Sequence, residues 1–521
     1  MAEFLQTVSK KRKKVQKKVA FHNLGCKVNA YETETMLAGL LEDGCLEVPF
    51  APGADIYIIN TCTVTNVADR KSRQMLHKAK EMNPDAVVVA VGCYVQDAGE
   101  VLKKDPAVDV IVGNNEKGKL TEILEEYFRE NDKKTSGHVR KQTVMAEDAS
   151  GQPGNQNAPV TENLQAKTDA AVRKSVHVGD IAAVREYEEL PFAPAAELTR
   201  AFIKIQDGCN QFCSYCMIPY VRGRVRSRRS EEILKEAEAL IVRGYREIVL
   251  TGIHISSYGL DFAAPGRNLQ TPDASCAETN EALKGLIFKL CALPGLERLR
   301  LGSLEPGVMT EEFVRFLSEN RTVCPAFHLS LQSGCDATLA RMKRKYRTAD
   351  FAEKCSLLRK YYDCPAIMTD VIAGFPGETE EEFSESAAFV RDIHFSRIHV
   401  FKYSKRRGTK AAEMPDQVPE SVKKLRSDVL LGIGAEARKA YASSFLGQDI
   451  QILFEEQAVK NGHKCAAGYT GEYVQAFCFA DGIHENEIKN CCAVSADENG
   501  IIAELKQQDK SYAKLKQEEK S

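Results

Sequence analysis

The stretch DGCNQFCSYCMIPYVRGRVRSRR, from Asp207 to Arg229, sets three cysteines within eight residues and follows them with five arginines. Cys209, Cys213 and Cys216 have the spacing C-x3-C-x2-C, and short loop spacings let several thiolates converge on one metal centre. Soft thiolates select zinc or iron–sulfur clusters. A structural zinc site uses four ligands and usually pairs two Cys-x-x-Cys knuckles; no fourth Cys or His stands at a matching distance here. A four-iron cluster is normally held by four thiolates, so three would leave one iron open to a small molecule.

The surroundings of this loop decide the fold. AFIKI (201–205), EIVLT (247–251), RLRLGS (298–303), AFHLSL (326–331), IMTDVIAG (367–374) and RIHVFKY (397–403) read as strands with helical patterns between them. Six β/α units predict a partial (β/α)6 barrel over 198–440, with its site at the carboxyl ends of the strands, where Cys209 lies. GFPGET (374–379) lacks the Lys-Ser/Thr ending of a phosphate loop and reads as a tight turn.

On the amino-terminal side, KVAFHNLGC (18–26), DIYIINTC (55–62), AVVVAVGC (86–93) and DVIVG (109–113) predict the parallel strands of a doubly wound α/β domain over 18–129. Cys26, Cys62 and Cys93 each follow a different one of these strands, where open α/β sheets place their ligands. Three thiols at equivalent positions read as one shared site. The polar tract around GQPGNQN (151–157) cannot bury enough apolar area to fold, so 130–197 reads as a partly flexible linker. Residues 446–506 lose helical periodicity and predict a small antiparallel β domain, of a type that either binds oligonucleotides or serves as a structural cap.

Composition narrows the function classes. The 17 cysteines come without an apolar signal segment or membrane-length run, so metal ligation or catalysis is expected rather than a disulfide framework, and a cytoplasmic location with no membrane partner. Cys45, Cys276, Cys291, Cys324, Cys355, Cys364, Cys465 and Cys478 stand singly and read as small core residues. A net charge of −2 leaves nucleic-acid contact to local basic patches. One, KKRKKVQKK at 10–18, reads as a solvated tail. The other comprises Arg222, Arg224, Arg226, Arg228 and Arg229, which are expected to hold RNA phosphates unless they form ion pairs at a helix entry.

C-x3-C-x2-C after the first strand of a β/α barrel resembles the radical S-adenosylmethionine enzymes. Together with LGCKVNAYETE (24–34), NTCTVTNVADRKSRQ (60–74), VGCY (91–94), HLSLQSGCDATLARMKR (328–344) and VFKYSKRRGTKAAEM (400–414), it resembles the methylthiotransferases, and among these the tRNA enzymes acting on N6-threonylcarbamoyladenosine beside the anticodon. The resemblance implies two [4Fe–4S] clusters, one on Cys209, Cys213 and Cys216 and one on Cys26, Cys62 and Cys93. It implies S-adenosylmethionine both as methyl donor and as source of a 5′-deoxyadenosyl radical, tRNA as partner, an electron-donor protein, and an RNA-binding TRAM-like module at the carboxyl end. Tyr215 against the cofactor adenine, Gly252 near its methionine moiety, and Glu305 and Gln332 at the barrel mouth are the expected cofactor contacts. The alternatives are the same chemistry on isopentenyladenosine or on a ribosomal-protein aspartate, and a non-enzymatic RNA-binding protein with zinc or iron–sulfur sites.

Overall fold

The structure, a computed structural model, describes residues 16–131, 174–192, 199–262 and 276–506. Among them, β1 (Lys18–Asn23), β2 (Leu46–Glu47), β3 (Ile56–Thr61), β4 (Val87–Gly92), β5 (Val110–Val112) and β6 (Ser175–His177) form one parallel sheet in the order β2-β1-β3-β4-β5-β6. β3 and β4 are buried along their whole length, as strands covered on both faces must be. Alternate residues feed two apolar layers: Ile56, Ile58, Val89 and Val91 pack on Met36, Leu40 and Ile123, whereas Tyr57, Ile59, Val88 and Ala90 pack on Leu76, Ala79 and Leu102. β6 corrects the linker reading. Three residues of SVH are too short for a periodic signal, yet they pair with β5 and give the end of the expected linker to this sheet. The tract at 132–173 and the basic run up to residue 15 lie outside the described residues.

The second unit carries β7 (Arg200–Asp207), β8 (Arg226–Ser227), β9 (Glu247–Gly252), β10 (Arg298–Leu301), β11 (Ala326–His328), β12 (Ala366–Ala373) and β13 (Arg397–Lys402). They form two sheets, β10-β9-β7-β8 and β11-β12-β13, stitched together by the bridges Leu299–Val323 and Leu304–Leu329. All pairings are parallel except that of β8, a two-residue edge strand that runs back along β7. Outward residues such as Ile203, Ile205, Ile248, Leu250, Leu299 and Phe327 join the helices in one large core. The alternate positions turn Arg200, Lys204, Glu247, Arg300, His328, Asp370 and His399 to the inside, so the lumen is polar.

No pairing joins β13 to β7 among the described residues, and the first unit fills that gap. Its helix Lys27–Glu42 lies against β7, where the buried Glu32 carboxylate accepts hydrogen bonds from Lys204 (2.7 Å), Arg222 (2.5 Å) and Lys117. Beyond β13, Arg406 donates to Asp69 (2.5 Å), Asp97 (3.2 Å) and Thr63 (2.5 Å). One domain therefore spans both edges of the open barrel.

β14 (Asp449–Lys460), β15 (His463–Thr470), β16 (Gln475–Cys478), β17 (Ile488–Asp497) and β18 (Gly500–Leu505) close into a small barrel in the order β14-β15-β16-β18-β17. The pair β16–β18 is parallel, a detail that period-2 patterning does not reveal. This domain docks at the amino ends of the large barrel's strands. Arg298 donates to the carbonyls of Tyr469 (3.0 Å) and Gln451 (2.8 Å), Arg300 donates to that of Gly471 (3.1 Å), and Arg200 pairs with Glu455 (2.7 Å). Of the single cysteines, Cys324, Cys355, Cys465 and Cys478 are buried and Cys45, Cys291 and Cys364 are half-buried; the Cys276 side chain lies outside the described set.

Two buried charges test this assembly. Arg300→Ala leaves Glu247 buried without its main partner and is expected to cost about 3–5 kcal/mol, seen as a lower urea midpoint with hydrogen exchange rising first in Tyr469–Tyr473. Glu32→Ala strands three buried cations and is expected to cost at least as much, with protease cleavage appearing between the first domain and the barrel.

Candidate functional site

The first cysteine trio is set by the sheet itself. Thr61 pairs with Gly92 and Asn23 with Asn60, so the next residues along β3 and β4, Cys62 and Cys93, leave the sheet at one level. Strand order changes direction at β1–β3, and Cys26 and Cys62 sit above that switch point. Gly25 has φ +123°, and a Cβ there would lie 3.2 Å from the Cys62 sulfur, so the backbone passes directly against the thiol. Cys26 is exposed at the start of the helix Lys27–Glu42, while Cys62 and Cys93 are buried. Burial pushes the Cys62 thiol up to about 11, and the nearby Cys93 and Cys26 act in the same direction.

The second trio lies on the loop after β7. The Gln211 N–H donates to the Cys209 sulfur (3.4 Å), the Cys216 N–H donates to the Cys213 carbonyl (3.0 Å), and Arg344 donates to the Cys213 sulfur (3.2 Å). The loop can turn here because Gly208 has φ +72°; any Cβ would overlap the Arg224 carbonyl oxygen at 1.8 Å. Burial raises the Cys216 thiol to about 12 and raises Cys209 further, with the neighbouring thiols adding to both. The first domain meets the segment after the second trio where Cys93 packs with Met217, the residue after Cys216, and with Val221.

Three of the five arginines are corrected by the structure. Arg222, Arg226 and Arg228 are 0%, 1% and 5% exposed, so they are not available to RNA phosphates. Arg222 donates to Glu32, to Asn29 (2.7 Å) and, through Nε, to the Cys93 sulfur (3.1 Å). Arg226 donates to the carbonyls of Arg222 (2.9 Å) and Arg224 (3.1 Å) and lies 3.8 Å from Asp207; Arg228 pairs with Glu236 and with Glu189 (2.8 Å). The physical reason is the reversal at β8, which turns the chain back under the first domain before the next helix begins. Arg224 is half-buried over the Phe212 ring (4.5 Å), and Arg229 is exposed over the Phe262 ring (5.0 Å).

The other expected contacts ring the mouth. Glu305 accepts two hydrogen bonds from Arg344 (2.6 and 2.7 Å) and lies 3.5 Å from His254. Burial pushes its carboxyl up, but Arg344 and His254 outweigh this and hold it at about 2. Gly252 ends β9, where a Cβ would come within 3.0 Å of the Gln206 carbonyl of β7. Gln332 takes a left-handed φ of 71° and bridges to β12 through its backbone. Tyr215 is half-buried with its ring edge-on to Phe375 (6.3 Å), so its visible partner is protein.

Both trios have surroundings that suit an anionic thiolate cluster. No three His, Cys, Asp or Glu side chains among the described residues gather closely enough for a single ion. Instead, each trio has one thiol that accepts a hydrogen bond from a buried guanidinium, Arg222 on Cys93 and Arg344 on Cys213. Beside Cys93, Arg222, Lys117, Lys204 and Arg226 share direct ion pairs with only Glu32 and Asp207. Burial opposes ionisation of Glu32, yet Arg222, Lys117 and Lys204 hold it well below the ordinary carboxylate range. A coordinated thiol is deprotonated by its metal, and the cations favour the resulting charge. Glu32, Asp207 and Arg344 are absent from the expected site, although Glu32 and Arg344 lie in the quoted segments YETE and RMKR.

Residues 18–113 match the family described as Uncharacterized protein family UPF0004, and residues 203–390 match the Radical SAM superfamily. The chain is 37% identical to threonylcarbamoyladenosine tRNA methylthiotransferase MtaB of Bacillus subtilis, over 88% of this chain and 89% of that protein. It is 35% identical to the MtaB protein of Aquifex aeolicus, over 84% of this chain and 93% of that protein. It is 32% identical to the tRNA-2-methylthio-N(6)-dimethylallyladenosine synthase of Rhodococcus jostii, over 82% of this chain and 75% of that protein. With an open β/α barrel, a thiol loop after its first strand and relatives of this identity over most of its length, the chain belongs to the radical S-adenosylmethionine methylthiotransferase family.

Proposed function

We propose that the protein transfers a methylthio group to C2 of N6-threonylcarbamoyladenosine beside the anticodon of tRNA. The observation that carries this reading is that Cys93, of a cysteine trio in the first domain, packs on Met217 and Val221, directly after the cysteine trio of the barrel. Radical generation alone needs one trio; a second, next to it, supplies a place for sulfur. The threonylcarbamoyl branch is supported by the identity to the MtaB proteins of Bacillus subtilis and Aquifex aeolicus, 37% and 35%, against 32% to the dimethylallyladenosine synthase of Rhodococcus jostii.

When bound, two [4Fe–4S] clusters and S-adenosylmethionine would supply the 5′-deoxyadenosyl radical that takes the C2 hydrogen and the methylated sulfur that replaces it. Cys209, Cys213 and Cys216 would hold the cluster that cleaves the cofactor, and Cys26, Cys62 and Cys93 the other. Arg222 and Arg344 donate to one thiol of each trio, and hydrogen bonds to cluster sulfurs tune reduction potential. Gly252, Glu305 and Gln332 line the mouth for the cofactor, with Tyr215 beside the loop. The Arg344–Glu305 pair orients the wall facing Cys209. Arg229 and Arg224 remain the arginines of the opening stretch that can reach a phosphate. No described helix is long and apolar enough to cross a membrane, and a tRNA substrate supports action in the cytoplasm with a reducing protein as electron source.

The reading is tested by nucleoside mass spectrometry of tRNA from cells lacking the gene. The 2-methylthio-threonylcarbamoyl nucleoside should disappear and return on complementation; its persistence, or loss of the dimethylallyl product instead, overturns the substrate. In the reconstituted protein, Ala at Cys209, Cys213 or Cys216 is expected to abolish 5′-deoxyadenosine formation. Ala at Cys26, Cys62 or Cys93 is expected to leave that cleavage largely intact while ending product formation and removing about half of the bound iron.

A further inference from the structure

Lys27, the residue after Cys26, directs its ammonium over the Phe202 ring of β7 (5.9 Å), where burial, with Arg200 and Arg300, holds it below its ordinary value. Two of the carboxylates on the inner face of the barrel and its floor are already paired with arginines. Glu247 is clamped by Arg300 (2.8 Å), Glu455 by Arg200 (2.7 Å), and Asp370 lies 3.3 Å from His328. Lys27 has no carboxylate at ion-pair distance among the described residues.

The floor beneath Lys27 comes from the carboxyl-terminal domain. Tyr473 stacks on Tyr469 (4.9 Å), with Arg200 at 5.2 Å and Arg300 at 4.6 Å from its ring centre. Burial pushes the Tyr473 phenol up, yet Arg200, Lys27 and Arg300 together bring it below its ordinary value. His399 faces the same space and stacks on His328 at 5.8 Å with nearly parallel rings.

We propose that this chamber is a subsite for the carboxylate of the substrate, with Lys27 as its cationic ligand, the Tyr473 hydroxyl beside it, and Phe202 and His399 as walls. The inference rests on the threonylcarbamoyl reading above and deepens it: the amino-acid carboxylate of the modified adenosine enters the lumen while its base stays at the mouth between the trios. A neutral dimethylallyl group brings no counter-charge to Lys27. A site built for a charged group rejects the analogue that lacks it, because its own polar groups are left unpaired. Lys27 is thus a specificity residue one position from an expected cluster ligand.

The test measures binding of anticodon stem-loop RNAs to the reconstituted full chain by fluorescence anisotropy. Three RNAs are compared, carrying threonylcarbamoyladenosine, its methyl ester, or unmodified adenosine. The wild-type protein should bind the free acid roughly ten- to hundredfold more tightly than the ester, the range for a hydrogen bond to a charged group. K27Q should bind acid and ester alike, near the wild-type affinity for the ester, and K27R should restore the preference. Wild-type protein that binds ester and acid equally, or K27Q that keeps the full preference, overturns the subsite while leaving the proposed function standing. Wild-type protein that does not separate modified from unmodified RNA overturns the function and the subsite together. Affinity for S-adenosylmethionine should be unchanged in K27Q; a loss there assigns the charge to the cofactor and also overturns the proposal. The ester arm uses wild-type protein alone, so a folding defect in the variant does not blunt the result.

Discussion

Everything else in this molecule depends on the carboxylate of Glu32. It lies on the helix after Cys26, is fully buried, and takes hydrogen bonds from Lys117 of its own domain and from Lys204 and Arg222 of the barrel. A buried ion network of this kind adds little stability relative to apolar packing, but breaking it is costly. Its value here is registration. Arg222 is held by Glu32 at one end and touches Cys93 with the other, so one guanidinium ties the closing of two domains to the position of a thiol.

That constraint explains the open barrel. β7 and β13 do not pair among the described residues, and the polar inward faces of the strands would otherwise stand open to water. The first domain enters through the gap with Glu32 and Lys27 on one edge and is fastened to the other by Arg406. The result is a lumen lined by three domains, with thiols at the mouth and cations at the floor.

Local physics made much of this legible in the sequence. The apolar runs placed the longer strands to within a few residues, because strands covered on both faces must be continuously hydrophobic. The cysteines could be grouped because each followed a strand. β2, β6 and β8 were not legible because two or three residues carry no period. Of the five arginines after Cys216, Arg222, Arg226 and Arg228 took the ion-pair alternative for a deeper reason: charge in a sequence says nothing about where its partner lies, and Glu32, the partner of Arg222, is 190 residues away in another domain. Glu32 and Arg344 were within quoted segments, but their roles exist only once two elements have met. Lys27 belongs to the same class.

The docking of the last β domain beneath the barrel has a consequence for how the protein is made. Domains generally fold in order during synthesis, amino-terminal first. A chain still on the ribosome can therefore have both thiol trios in place before Tyr469 and Tyr473 arrive to close the lumen from below. Until then the chamber is a tube open to solvent at its lower end. The carboxyl-terminal β domain acts as an interlock: it covers the lower end of the space in which a radical would otherwise meet water and oxygen.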